Sequence, residues 1–118
     1  LTVEVEPDDD EGTLGRMAHR VLTLRCFDGP QGRLSLSVQE MHGEILSIPQ
    51  PLTILRRPAV GRPQLVSLDA DDEHANVIWI RFNEALQSGD VPVCEGRFGA
   101  RMRVGSVADG PFQFTLQE

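Results

Sequence analysis

The sequence predicts an α+β fold, with two helices on one side of a mostly antiparallel or mixed sheet. Two segments place apolar residues at helical spacing, and several shorter segments alternate apolar and polar residues as half-buried strands do. Their order is strand, helix, strand, strand, loop, helix and then further strands. A chain of 118 residues, 40% of them hydrophobic and 25% charged, is typical of one globular domain, so we expect a single domain over residues 1–118.

The N-terminal quarter predicts a strand followed by a helix. Residues 1–6 alternate apolar and polar side chains, and Pro7 with the acidic residues behind it ends that strand. Thr13 is a suitable N-cap for the helix, because its hydroxyl can accept from an unpaired backbone N–H. Five apolar residues then recur at helical spacing and predict one buried face: Leu14, Met17, Ala18, Val21 and Leu22.

The middle of the chain predicts two strands and a loop. Residues 34–38 alternate apolar and polar side chains, whereas Ile45–Ile48 is a short apolar run typical of a central strand buried on both faces. Pro49 and Pro51 should end that second strand, since proline lacks the N–H that a ladder needs. Residues 55–64 contain proline, glycine and three Arg residues, which favours an exposed loop.

A second helix and three strands are predicted in the rest of the chain. The helix covers Asp69–Ser88, with Asp69 or Asp71 as its N-cap. Its apolar stripe leaves out Trp79, which we therefore place at a helix edge or on a partner surface. Three later strands are expected at Val91–Cys94, Met102–Val107 and Phe112–Leu116.

The charge balance argues against a protein that binds nucleic acid through a broadly basic surface. The formal net charge is −7, and all 11 basic residues are Arg. Two groups of Arg residues are nevertheless close in sequence, and they predict local basic strips on an acidic protein. They are Arg56, Arg57 and Arg62 in the central loop, and Arg97, Arg101 and Arg103 near the end.

The cysteines and histidines form no pattern of metal ligands or catalytic groups. Cys26 and Cys94 lack the paired spacing of zinc ligands, and we favour small buried thiols over a disulfide between them. The three histidines, His19, His42 and His74, are interpreted as surface or helix-edge residues. No apolar segment of the sequence is long enough to span a bilayer.

The C-terminal third carries the most specific motif. Residues Phe98–Met102 and Asp109–Pro111 resemble, in order and spacing, the Phe-Gly-Ala-x-Met-x-Val strand and the Asn-Asp-Gly-Pro-Val-Thr segment of the D-aminoacyl-tRNA deacylases. Upstream, Pro49–Leu52 stands where that family has Ser-Gln-Phe-Thr, and Gly61–Pro63 resembles its Gly-Arg-Arg-Pro. The resemblance covers nearly the whole chain and implies the deacylase fold.

The family to which this resemblance points consists of cytoplasmic homodimers. They hydrolyse the ester that links a D-amino acid, or glycine, to the terminal adenosine of tRNA, which is a form of chiral proofreading. The resemblance implies the same activity here, without a metal or an organic cofactor. It also implies that Gly110 and Pro111, joined by a cis peptide bond, enter the pocket of the partner and exclude L-amino acids.

The resemblance assigns residues to each part of that site. Gln50 and Thr53 are the candidate catalytic residues, with Gln50 orienting the ester. The tRNA's own terminal hydroxyl would help to activate water, since no side-chain base is obvious. Candidates for the substrate pocket are Gly110, Pro111, Phe98, Gly99, Ala100 and Met102, and candidates for tRNA phosphates are Arg56, Arg57 and Arg62.

Departures from the family pattern keep a second hypothesis open. In the segment that resembles Ser-Gln-Phe-Thr only Gln50 matches, and Thr53 stands one residue beyond the family's threonine. Pro49 lacks a backbone N–H that would help to hold the developing oxyanion. The alternative is a catalytically degenerate homologue that keeps the fold as a tRNA-binding or protein-interaction module. The family's N-terminal β-hairpin has no counterpart before Leu1, so we expect either that the sequence is trimmed there or that this relative's domain lacks two strands of the family's sheet.

Overall fold

The computed structural model describes residues 1–51, 53–67 and 71–118, and at positions 53–55 and 67 it describes the backbone alone. Within these residues the chain forms helices and short strands that confirm the predicted α+β class. In chain order they are β1 (Thr2–Val3), α1 (Glu11–Thr23), β2 (Phe27–Gly29), β3 (Gly32–Leu36), β4 (Ile45–Pro49), β5 (Thr53–Arg56), β6 (Gln64–Ser67), α2 (Asp72–Gln87) and β7 (Val93–Glu95).

The central sheet is parallel. Strand β4 lies between β1 and β7, with Ile48 opposite Thr2. The other described pairs, β2 with β3 and β5 with β6, are antiparallel hairpins. The strands are thus mixed in direction, and a mostly antiparallel sheet is not confirmed. The physical reason is the connection, since a helix lies between β1 and β4 and another between β4 and β7, and such crossovers suit parallel strands.

Helix α1 begins earlier than its predicted cap. The N-cap is Asp10 rather than Thr13, and its Oδ1 accepts from the Thr13 backbone N–H at 2.8 Å. A carboxylate at this position satisfies an unpaired N–H and also complements the positive end of the helix dipole. The predicted apolar stripe is confirmed, because Ala18 and Leu22 are buried and the other three residues pack against them or against α2.

Helix α2 buries a wider arc than its sequence pattern predicts. Asp71 is its N-cap and accepts from the His74 backbone N–H at 3.0 Å, while Asp69 lies outside the described residues. Trp79 is only 4% exposed, so its predicted place at a helix edge or partner surface is wrong. It is buried because α2 packs against α1 on one side and faces the sheet on another.

The other strands differ from their predictions in length and exposure. The first strand is confined to Thr2–Val3, and the strand predicted at 34–38 is β3. Strand β4 is central as predicted, but Leu46 is 46% exposed, so only one face is buried. Residues 55–64 are only partly a loop, since β5 and β6 form a hairpin that includes both ends of this segment. A hairpin forms by backbone hydrogen bonds, which an irregular side-chain pattern does not reveal.

The C-terminal segment, residues 101–118, contains neither of the two strands predicted there. It is mostly exposed, and Val107 is 98% exposed. Alternation of apolar residues is a signal for a strand only when a partner strand supplies the hydrogen bonds. None of the described strands pairs with this segment. The last strand of the sheet is β7, which begins at Val93 rather than at Val91.

Candidate active site

A cavity of about 120 Å³ opens at the carboxyl ends of the three parallel strands, beside the start of α2. It brings together three residues that the resemblance assigns to the site: Gln50, Phe98 and Gly99. The other lining residues are mostly apolar. Ligands of open α/β sheets commonly bind at this end of the strands, because the loops that follow the strands converge there.

Gln50 reaches the cavity because it is the first residue after β4. Its backbone N–H donates to the Val3 carbonyl at 2.8 Å, which extends the contact between β4 and β1 past Pro49. The strand itself ends at Pro49, as the two prolines predict. Gln50 is exposed and lines the cavity, so a ligand can reach its side-chain amide.

One wall of the cavity is aromatic. The rings of Trp79 and Phe98 lie 6.2 Å apart, centroid to centroid, at an angle of 40°. The indole N–H of Trp79 donates to Ser47 Oγ at 3.1 Å, and Ser47 is fully buried in β4. Because this hydrogen bond is buried, it fixes the indole ring and with it the position of Phe98.

The loop after β7 presents Phe98 and Gly99 to the cavity. The Gly96 N–H donates to the Ser47 carbonyl at 2.7 Å, and the Ala100 N–H closes a turn on the Arg97 carbonyl at 3.2 Å. Gly99 has a φ of +72°, a left-handed conformation that favours glycine. The turn places Phe98 toward Trp79 and leaves Ala100 exposed outside the cavity.

Met102 supports this loop without lining the cavity. Its Sδ accepts from the Arg97 N–H at 3.3 Å and packs close to Gly96. A Cβ at position 96 would come within 3.0 Å of that sulfur and 3.2 Å of Pro49 Cδ, so glycine permits the approach. Within Phe98–Met102, two residues line the cavity and Met102 holds the loop in place. This double role accounts for a motif in which several residue types are fixed.

Asp72 and Trp79 also line the cavity, although neither was predicted from the sequence to be a site residue. Asp72 is the first residue of α2, where an acidic residue has an ordinary structural role in complementing the helix dipole. Among the described lining residues it is the ionisable one. No local signal separates an acidic helix start from an acidic cavity wall, because only the packing of α2 against β1 and β4 brings the two together.

The remaining predicted site residues lie elsewhere. Gly110 and Pro111 are exposed in the C-terminal segment and do not line the cavity. Their peptide bond is trans, so the cis bond expected from the resemblance is not found in this chain. Thr53 begins β5, and its side chain lies outside the described residues, as does Leu52.

The Arg residues predicted to contact tRNA lie on the β5–β6 hairpin. Arg56 ends β5, and Arg57 and Arg62 lie in the turn that follows it. All three are exposed. Their exposure is compatible with the predicted local basic strip, which stays a prediction.

The described part of the chain contains no cluster of three His, Cys, Asp or Glu side chains placed to hold a metal ion. Cys26 and Cys94 are both free thiols, but neither is buried as predicted, since Cys26 is half-buried and Cys94 is exposed. None of the helices in the described ranges is long and apolar enough to cross a membrane.

Comparison with known proteins identifies the family. The family model for D-Tyr-tRNA(Tyr) deacylase matches residues 1–117. The D-aminoacyl-tRNA deacylase of Bifidobacterium longum subsp. infantis is 46% identical over 98% of this chain and 71% of its own length. The enzyme of the same name from Tolumonas auensis is 36% identical over 96% and 77%.

A solved structure agrees with this assignment. That of a c-Myc DNA unwinding element binding protein superposes with a TM-score of 0.77 and 28% identity, over 94% of this chain and 75% of that one. The similarity extends over both helices and the sheet, since it includes almost the whole chain. The chain therefore belongs to the D-Tyr-tRNA(Tyr) deacylase family.

Proposed function

We propose that this protein hydrolyses the ester bond of D-aminoacyl-tRNA, as chiral proofreading. Water adds to the ester carbonyl, the bond to the ribose oxygen of the terminal adenosine breaks, and the products are a free D-amino acid and tRNA with its hydroxyl restored. The observation that carries the proposal is the convergence of Gln50, Phe98 and Gly99 in one cavity, in a chain that matches the family along its length. Glycyl-tRNA is a second substrate to be tested.

Gln50 is the proposed ester-orienting residue. Its amide can donate to the carbonyl oxygen on which negative charge develops during attack by water. Because Pro49 has no N–H to contribute, more of that stabilisation depends on the Gln50 side chain. Thr53 remains a candidate for a supporting hydroxyl. The terminal hydroxyl of the tRNA is the proposed proton relay, which accepts the proton of the attacking water as it passes its own proton to the leaving ribose oxygen.

Asp72 is the proposed partner of the α-ammonium group of the substrate. Its carboxylate belongs to a wall of the same cavity as Gln50. An aminoacyl ester carries a positive charge beside the carbonyl that must be oriented, and a charge-assisted hydrogen bond would hold the two groups in register. Phe98, half-buried at the cavity and held by the buried Trp79, offers an aromatic ring on which a base can stack.

The chiral selector is proposed to be Gly110-Pro111 of a second copy. The segment that carries it forms no helix or strand, and its apolar side chains are exposed among the residues that the structure describes. A homodimer would cover them and bring the selector to the cavity of the partner, with Ala100 and Met102 near its rim. The exposed side chains are Val104, Val107, Phe112 and Phe114.

The β5–β6 hairpin is proposed to contact tRNA outside the cavity. Arg56, Arg57 and Arg62 are exposed there and can each neutralise a phosphate. Such contacts position the tRNA without reading its sequence. We propose a cytoplasmic location, because the protein would act on aminoacyl-tRNA. The single domain over residues 1–118 also stays a prediction.

The decisive experiment compares D-tyrosyl-tRNA, L-tyrosyl-tRNA and glycyl-tRNA at equal concentrations. We expect release of D-tyrosine far above the uncatalysed rate and no comparable release of L-tyrosine. Pro111→Ala should reduce the D-to-L rate ratio, whereas Pro30→Ala, in the exposed β2–β3 turn, should leave that ratio unchanged. A folded protein that binds tRNA but hydrolyses no substrate would instead support the degenerate homologue, which the names of the relatives do not favour.

A further inference from the structure

The exposed face of α1 holds an anion in this structure. Arg16 and Arg20 lie one helical turn apart, and each binds a different oxygen of the same Glu118 carboxylate. Arg16 Nε lies 2.8 Å from Oε1, and Arg20 Nη1 lies 2.8 Å from Oε2. Arg20 Nη1 also donates to the Gln117 carbonyl at 3.1 Å. Two guanidinium groups therefore bind the two oxygens of one planar carboxylate.

The surroundings of this pair form an open groove of about 470 Å³. Besides the two Arg residues and Glu118, the groove is lined by Gly15 and His19. A Cβ at Gly15 would meet nothing within 4 Å, so the groove is open along the helix backbone there. The side chains of Arg16 and Arg20 are 60% and 51% exposed, so an incoming anion can reach them.

The groove is a local exception on an acidic protein. Its lining has two Arg residues and a histidine, and Glu118 is the acidic member. The charge of Arg16 also acts on the carboxylate of Asp10. That carboxylate is already engaged at the helix start, by the Thr13 N–H at 2.8 Å and the Thr13 hydroxyl at 3.0 Å. Removal of Glu118 would thus leave the guanidinium pair with unused donors.

We propose that Arg16 and Arg20 form a binding site for one backbone phosphate of tRNA, which the Glu118 carboxylate occupies in the free protein. A phosphodiester presents two non-bridging oxygens, and the Glu118 carboxylate likewise presents two oxygens. The guanidinium group of Arg binds carboxylates and phosphates through the same N–H donors. The site lies on the outer face of α1, apart from the cavity and from the β5–β6 hairpin. The inference rests on the proposed function, because that function makes tRNA, with its phosphodiester backbone, the ligand.

The test measures the affinity of uncharged tRNA as a function of salt concentration. The double variant Arg16→Gln with Arg20→Gln should lower the steepness of the log–log salt dependence by about 0.7–0.9, the value for one lost phosphate contact. Over a fourfold rise in salt concentration the wild type should then lose about threefold more affinity than the variant. Glu118→Gln should have the opposite effect and tighten binding at low salt, because the competing anion is gone.

The matched control is Arg25→Gln with Arg33→Gln, which removes the same charge from two other exposed positions. An equal loss of affinity and an equal change of salt dependence in both double variants would overturn the site. So would unchanged tRNA affinity in Glu118→Gln accompanied by a lower melting temperature, since this would make Glu118 a tether for the C-terminal segment and nothing more. Thermal melts of all variants establish that each is folded.

Two further measurements distinguish an RNA site from a site for a free anion, and this site from the proposed function. Inorganic phosphate is titrated against Glu118→Gln, and stabilisation by phosphate with no change in tRNA affinity would assign the pair to a free anion and reject the RNA site. Hydrolysis of D-tyrosyl-tRNA by the wild type is measured on the same preparation. Hydrolysis together with unaltered tRNA binding by the Arg16 and Arg20 variants rejects this site alone, whereas absence of hydrolysis by the wild type rejects the proposed function.

Discussion

The carboxyl end of the parallel sheet and the C-terminal segment both carry aromatic residues, but they hold them in opposite ways. Trp79 and Phe98 pack against each other over β4, and the indole hydrogen bond to Ser47 is buried. Phe112 and Phe114 also contact each other, with ring centroids 5.3 Å apart, yet they are 55% and 45% exposed. The described residues enclose the first pair and leave the second half-exposed.

The two regions differ in how far the described residues enclose them. The cavity end combines strand ladders, a helix and a buried hydrogen bond, so its geometry is set by contacts inside the molecule. The C-terminal segment carries the proposed selector, but the residues that the structure describes leave its apolar side chains exposed. Four predictions follow in order of decreasing expected effect, and the first tests that contrast directly.

The largest effect is expected on stability at the cavity end. Trp79→Ala removes a buried ring and should lower the free energy of unfolding by about 3–5 kcal/mol. Phe112→Ala, the matched change in the exposed segment, should cost less than about 1 kcal/mol in dilute protein. Urea unfolding followed by circular dichroism measures both. Equal losses would contradict the contrast between the two regions.

The second effect is expected on catalysis. Gln50→Ala should reduce kcat/KM for D-aminoacyl-tRNA by about 10²–10³-fold, the usual consequence of losing one oxyanion donor. Gln31→Ala, in the exposed β2–β3 turn, is the control and should retain the wild-type value. Single-turnover hydrolysis measures the chemical step directly. A reduction of less than tenfold would show that another group orients the ester.

The third effect concerns Asp72 and is smaller. Asp72→Asn should raise KM for D-aminoacyl-tRNA by up to about fivefold, because an exposed charge pair contributes about 0.2–1 kcal/mol. The N-acetylated substrate has no ammonium group, so it should be hydrolysed equally by both proteins. A similar rise in KM for the two substrates would mean that Asp72 acts on the cavity's shape and not on the ammonium.

The smallest effect is expected at the start of α1. The backbone hydrogen bond from Thr13, assisted by the Thr13 hydroxyl, lowers the pKa of Asp10 below its ordinary value. A lowered pKa in the folded state means that the contribution of Asp10 is present above its unfolded pKa and is lost as pH falls through the folded value. Asp10→Asn keeps a capping side chain but should lose this part of the acid dependence. Urea unfolding of both proteins at pH 7 and at decreasing acidic pH checks it, and identical pH profiles would be inconsistent with this role.

Sequence patterns predicted best where one face of a regular element is buried. The stripe from Leu14 to Leu22 predicted α1, because burial at a regular spacing leaves a regular pattern. The apolar run Ile45–Ile48 predicted a central strand, although only one face of that strand is buried. Sequence patterns failed where pairing or helix packing decides the result. Trp79 lies off the apolar stripe, but the sheet covers it, and residues 102–107 alternate without a partner strand.

The candidate site divides in the same manner. The motif around Phe98 and the position of Gln50 were each assigned to the site from the sequence, and in the structure both residues line one cavity. Asp72 carried no such signal, because an acidic residue at a helix start is already accounted for by the helix dipole. The N-cap at Asp10 was missed for a related reason, since Thr13 and Asp10 are both good caps and only the backbone path selects one.

The α+β class, the two helices, the central strand and the family resemblance could be predicted from the sequence, because each depends on residues close together in the chain or on a motif of fixed spacing. The parallel direction of the central sheet, the burial of Trp79 and the meeting of Gln50, Asp72 and Phe98 around one cavity depend on the tertiary structure. So does the binding of Glu118 by Arg16 and Arg20. These features join residues far apart in the chain, and their positions follow from packing and hydrogen bonding between elements, which no local pattern records.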